Sequence, residues 1–178
     1  ISQSAPLAVA NLALEAGAGS LSLGALNDVD VVAIHNANGL IDFNELNGFS
    51  VGTVDGVTGV VSDNGQVTLR AQSGNVTVSQ NAGATNLLSI TLSGDEALLT
   101  IASGANIRSI GGAHTYTADK MDIQGTITAT GQAVTLKPNE TGEAINLGSS
   151  TDSAADTLEL SDAELDRITA GVLRIGSS

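Results

Sequence analysis

The chain lacks cysteine and tryptophan, and its 178 residues include one methionine, two prolines and three aromatic side chains, Phe43, Phe49 and Tyr116. Without cysteine there is neither a disulfide scaffold nor thiol chemistry. Chains exported unfolded across an outer membrane often share that avoidance. Basic residues are few, 6 against 19 acidic, for a formal net charge of −13. That balance repels a phosphate backbone and excludes nucleic acid as a partner. It also argues against docking on anionic membranes. No apolar run is long enough to span a bilayer, so membrane insertion is not expected. No signal peptide and no initiator methionine are seen, and the sequence starts at Ile1. It is therefore read as an excerpt, or a processed product, of something longer.

What is present is aliphatic. Hydrophobic residues make up 42% of the chain, enough for a core that must be built from Val, Ile, Leu and Ala. Sandwiches commonly fill the space between sheets with large aromatics, whereas a narrow solenoid has room for stacked aliphatics. The pattern agrees. Val67-Thr68-Leu69-Arg70, Val76-Thr77-Val78-Ser79, Ile90-Thr91-Leu92-Ser93, Met121-Asp122-Ile123-Gln124 and Val134-Thr135-Leu136-Lys137 each alternate aliphatic and polar. Each is a short strand with one buried face. Gly74, Asn75, Gly94, Gly104, Gly111, Gly112, Gly125 and Gly131 punctuate them as turns. The fold class expected is all-β, a parallel β-helix, as one domain over residues 1–178.

The same alternation extends toward the N-terminus through Leu12–Glu15, Leu21–Gly24, Val29–Ile34 and Leu40–Phe43. Val67, Leu87, Ile107, Ile127 and Leu147 lie 20 residues apart and are all aliphatic. About 20 residues per coil is what one β-helix turn needs. That period predicts roughly nine coils and a rod of about 40 Å. Near the C-terminus Ser161-Asp162-Ala163-Glu164 is a capping box, which predicts one short helical turn over Asp162 to Arg167. A last strand follows over Val172–Gly176. The turn Ser161–Arg167 and the loop around Asn44–Asn47 are the expected protrusions. An uncapped last rung would expose an edge open to pairing with another chain.

No catalytic, cofactor-binding or metal-binding residue is assigned. His35 and His114 are far apart in sequence, without the clustered ligands a metal needs, and read as exposed or satisfied polar groups. Asp28/Asp30, Asp42/Glu45 and Asp162/Glu164/Asp166 are the carboxylate pairs a glycosidase or lyase could use. Sugar enzymes also want aromatic platforms and basic groups, which are scarce. The acidity reads first as solubility. Asp152, Asp156 and Asp162 could hold calcium, although neither a nonapeptide repeat nor an EF-hand loop is present. Thr126-Ile127-Thr128-Ala129-Thr130 would be an ice-binding ladder only if it recurred at every coil, and β-branched strand residues explain it. Asn75-Val76-Thr77 and Asn139-Glu140-Thr141 match the glycosylation acceptor pattern by chance.

One segment resembles a known family. Leu158-Glu-Leu-Ser-Asp-Ala-Glu-Leu-Asp-Arg-Ile-Thr-Ala-Gly-Val-Leu-Arg-Ile-Gly176 is similar to a stretch recurring in large filamentous-haemagglutinin-like exoproteins of Gram-negative bacteria. Gly142–Gly148, Phe49–Gly59 and Gly65–Leu69 resemble their strands too. The resemblance implies a right-handed β-helix shaft from an adhesin exported by two-partner secretion or as an autotransporter. It implies an extracellular or outer-surface location and contact with a host or neighbouring cell through other parts of the chain. No shared catalytic residues carry over. The function expected is thus a structural or adhesive shaft segment without catalysis. A filament subunit that stacks end to end, or a carbohydrate-active β-helix enzyme, are the alternatives.

Overall fold

The computed structural model describes residues 1–176, which form nineteen strands and one helical turn. Nearly all pairing is parallel, and one continuous sheet winds about a single aliphatic interior. The molecule is a β-solenoid of about six turns with three faces. The first face stacks Leu21 on Ile41, Val67, Leu88, His114, Val134 and Leu173 in succession. The second stacks Val31–Val32, Phe49–Val51, Val76–Val78, Leu98–Ile101 and Lys120–Ile123. The third stacks Ile34–Asn36, Val60–Ser62, Ala82–Ala84, Asn106–Ser109 and then the start of strand Thr126–Lys137. Strand Leu21–Asn36 is long enough to bend past all three faces.

Alternation places one side chain in two inside. Phe43, Leu69, Ile90, Tyr116 and Leu136 follow one another up the interior and are fully buried. All three aromatics lie within. Phe43 and Phe49 meet edge to face at 5.3 Å between centroids. The interior is therefore wide enough for rings.

The coils are uneven. The register from Leu21 to Ile41 is 20 residues, to Val67 26, to Leu88 21, to His114 26, to Val134 20 and to Leu173 39. Six turns replace the nine that a fixed period predicts, and seven rungs at strand spacing give about 30 Å. The aliphatic column read at that period is not one stack. Ile107 does sit on Ile127, on the third face, but Val67 belongs to the first, and Leu87 and Leu147 are exposed. The surplus residues go outward. Strands Thr53–Val54 and Val57–Thr58 make a small antiparallel hairpin, closed at its base where Gly59 N–H donates to Gly52 O at 2.8 Å.

The largest surplus lies between Lys137 and strand Thr157–Leu160. Strand Ala144–Leu147 pairs with Thr157–Leu160 although it precedes it in the chain. Thr157–Leu160 packs on Lys120–Ile123, with Leu158 and Leu160 buried. Ala144–Leu147 is exposed along its length. It thus occupies the place on the second face where a further rung would lie. The expected helical turn forms over Asp162–Leu165 with a complete capping box between Ser161 and Glu164.

The corners are closed by buried polar side chains. Between the first and second faces, Asn27 donates to Leu23 O and Asn44 O. Glu45 accepts from Val29 N–H and Asn47 N–H. Asp119 accepts from Asn139 N–H at 2.8 Å and Glu96 N–H at 3.2 Å. Between the third and first faces, Asn36 donates to Gly19 O, Ser62 to Gly39 O and Ser109 to Gly112 O. At that second corner the backbones pass so closely that a Cβ on Gly65 would sit 2.1 Å from Gly39 O.

Two expectations concern stability. Replacing Thr53–Thr58 by a two-residue Gly-Ser link should lower the urea midpoint modestly, because the half-buried Val54 and Val57 of the hairpin pack against strands Ala8–Ala16 and Leu21–Asn36. Ile90→Ala should cost about 2–5 kcal/mol in the same denaturation experiment, since the cavity it leaves is enclosed.

Candidate functional site

The carboxylate pairs read from the sequence are not brought together as pairs. Asp28 and Asp30 are both exposed. Asp42 is partly exposed and bound to Arg70, whereas Glu45 is fully buried as a corner cap. In the helical turn, Asp162 and Asp166 are exposed, and Glu164 is buried with its carboxylate on Ile123 N–H and Ser161 N–H. Arg167 donates to Ile123 O. The segment Ser161–Arg167, expected to protrude for contact, is instead the clasp that seats the turn against the second face. At Asn44–Asn47 the chain turns a corner, with Glu45 buried inside it and Leu46 and Asn47 exposed.

The histidines part company as well. His35 is partly exposed, 2.9 Å from Asp63. His114 takes an interior position where its neighbours in the stack are Leu88 and Val134. Its Nδ1 is 2.8 Å from Tyr116 Oη and its Nε2 2.7 Å from Ser109 Oγ. Ser109 passes its own hydrogen to Gly112 O at 2.5 Å. Burial pushes the His114 pKa down to about 4, so the ring is neutral and the chain of hydrogen bonds is complete. The threonines of Thr126–Thr130 form no ladder: in register with Thr128 are Arg108 on one side and Thr169 on the other.

Acidic residues do gather where the excursion 138–156 folds over the second face. One group is Glu96, Glu143 and Asp156, and another is Asp122, Asp152 and Glu164. Within each, one oxygen per residue lies within 4.8 Å of the others. Asp152 and Asp156, read together from the sequence, fall in different groups, and Asp162 is in neither. Lys120 bridges the region, with Nζ 2.7 Å from Glu96 Oε2 and 2.7 Å from Ala154 O. The salt bridge to Lys120 holds the Glu96 pKa below the usual carboxylate range. Glu143 is pushed up to about 7, first by burial and then by the neighbouring Asp119, with Glu140 and Glu96 adding repulsion. One of its oxygens, Oε2, is buried without a hydrogen-bond partner. Asp152 is raised to about 6 by burial and by Glu164, Asp122 and Glu159, against the pull of Lys120.

Chemically the region is a store of protons near neutrality. Either trio offers hard oxygen ligands, though only three of the roughly six to eight that calcium takes. Glu96, Glu143 and Asp122 were not singled out from the sequence. They are 21 to 47 residues apart, and only the uneven register juxtaposes them. No protein-family model, curated protein or solved structure matches the chain.

Two pH dependences of opposite sign follow. The folded-state pKa of His114 is depressed, so its contribution is whole above about pH 6.5 and is lost as pH falls toward 4, on the order of 3 kcal/mol. A His114→Phe variant should be less stable at pH 7 but lose less than wild type between pH 6.5 and 4, as read from urea midpoints. The folded-state pKa of Glu143 is raised, so its stabilisation is present at low pH and lost as pH rises from 4.5 through about 7. Glu143→Gln should therefore melt higher than wild type at pH 8, with the difference closing by pH 4.5.

Proposed function

We propose that the chain is a rigid shaft segment of a large secreted or cell-surface bacterial exoprotein, with a structural or adhesive role and no catalysis. The observation that carries this reading is the contrast between interior and exterior. Coil length varies from 20 to 26 residues between Leu21 and Val134, yet the inward stack continues without a break from Leu21 to Leu136. In such a solenoid each rung contacts only its neighbours, so length and surface loops vary independently. The similarity of Leu158–Gly176 to filamentous-haemagglutinin-like exoproteins supports the same reading. On this reading the segment lies outside a Gram-negative cell, with receptor contact through other parts of the polypeptide. The net charge of −13 suits a solvated rod.

A second reading is end-to-end self-assembly. Among the described residues, strand Ala8–Ala16 pairs on one side only, with Leu21–Asn36, and strand Ile168–Ile175 pairs only with Thr126–Lys137. Val172 and Leu173 are exposed on the latter. Open parallel edges of this kind accept another strand.

The test is the intact mass of the native polypeptide carrying this sequence, from denatured cell-surface and culture-fluid fractions. The shaft reading expects a mass many times 17.7 kDa. A mass near that value would overturn it in favour of small subunits that stack.

A further inference from the structure

The outer column of the third face runs His35, Val61, Gly83, Arg108, Thr128 by register. Gly83 is the member without a side chain, and the backbone does not require it. Its φ is not in the left-handed region. A Cβ there would meet only Val61 Cγ1 at 3.7 Å and Arg108 O at 3.8 Å, ordinary contacts. The glycines at the corners differ: a Cβ on Gly59 would lie 2.1 Å from Asn81 O. A glycine inside a strand weakens it, and it commonly marks a place where a ligand comes close.

The missing side chain leaves a trough of about 330 Å³ on the outer surface, whose lining includes Val61, Asp63, Asn81, Asn106, Arg108 and Ile110. This is the lower end of the range for small-molecule sites. Its one acid, Asp63, is held against His35 at 2.9 Å. The trough has a distinct chemistry in so acidic a chain. Arg108 takes part in none of the ion pairs among the described residues. Asn81 is fixed by accepting Asn106 N–H at 2.9 Å through its Oδ1, leaving its NH₂ to donate outward. Asn106 Oδ1 is buried and has no hydrogen-bond partner, a state that usually signals an absent donor. Val61 and Ile110 add an apolar rim, Ile110 being 65% exposed.

We infer that this trough on the third face is a binding site for a saccharide bearing a single carboxylate, such as a uronic-acid unit. The carboxylate takes Arg108 as a charge-assisted partner. A ring hydroxyl accepts from the Asn81 amide. The C–H face of the ring lies over Gly83, between Val61 and Ile110. A polysulfated chain is disfavoured by the net charge. The inference is independent of whether the chain belongs to a longer shaft.

The experiment is a backbone-amide NMR titration of this chain with a disaccharide ending in glucuronate. Its neutral glucose-terminated counterpart and acetate are titrated in parallel. The acidic disaccharide should shift the amides of Gly83, Asn106 and Ile110, with a dissociation constant of about 1 mM or tighter. Arg108→Gln should weaken binding about tenfold, one charge-assisted contact's worth. Gly83→Val should abolish it while leaving the melting temperature unchanged or higher. Thr128→Val, two rungs away, should bind as wild type does. No shift with the acidic disaccharide would overturn the site. So would an equal response to acetate, or undiminished binding by Gly83→Val or Arg108→Gln.

Discussion

The structure depends on satisfying the backbone at its corners. Along each face the strands within the stack pair with the rungs above and below. Where the chain turns, that ladder lapses, and an unpaired buried amide or carbonyl costs about as much as a lost hydrogen bond. Asn27, Glu45 and Asp119 close one corner, and Asn36, Ser62 and Ser109 another. These are most of the polar residues that the interior tolerates. Burial raises the Glu45 pKa, and backbone N–H groups partly offset the rise. The carboxylate is held there as an acceptor for turns that have no other partner.

With the corners closed from inside, the outside is free to vary. A coil of 20 residues and one of 39 share the same interior positions. The surplus appears as the hairpin over Thr53–Thr58 and as the excursion 138–156. The excursion brings its own constraint. It folds carboxylates from three coils together, with Lys120 as the nearby cation. Burial first, and then repulsion among the crowded carboxylates, raises Glu143 and Asp152 toward neutrality. Glu143 and Asp152 therefore favour the protonated form, whereas Glu96 beside Lys120 favours the charged one. In the helical clasp Glu164 is satisfied by backbone donors.

The two polar interiors contrast in a useful way. Glu45 and Asp119 face backbone amides, whereas His114 sits among side chains and replaces an aliphatic residue in the stack. Its three-member chain with Tyr116 and Ser109 is complete only while the ring is neutral. The trough on the third face is the remaining place where polar groups and apolar rim converge without internal partners. Unlike the corners, it is open to solvent.

How much was legible in advance follows the range of the interactions. Period-two alternation at Val67–Arg70 or Ile90–Ser93 is local, and so is the capping box at Ser161–Glu164; both held in the fold. The sequence by itself determined that the chain is all-β with an aliphatic interior, because alternation and turn residues act over a few positions. It also determined the helical turn. Only the tertiary structure decided which strands stack, because the turns between them differ in length and shift the register at every coil. That is why Val67 and Ile107 belong to different faces, why Glu45 and Glu164 are buried caps and not surface acids, and why Glu96, Glu143 and Asp156 meet. Those outcomes depend on partners well outside a local window, 16 residues from Val29 to Glu45, 41 from Ile123 to Glu164 and 60 from Glu96 to Asp156, separations that no local pattern encodes.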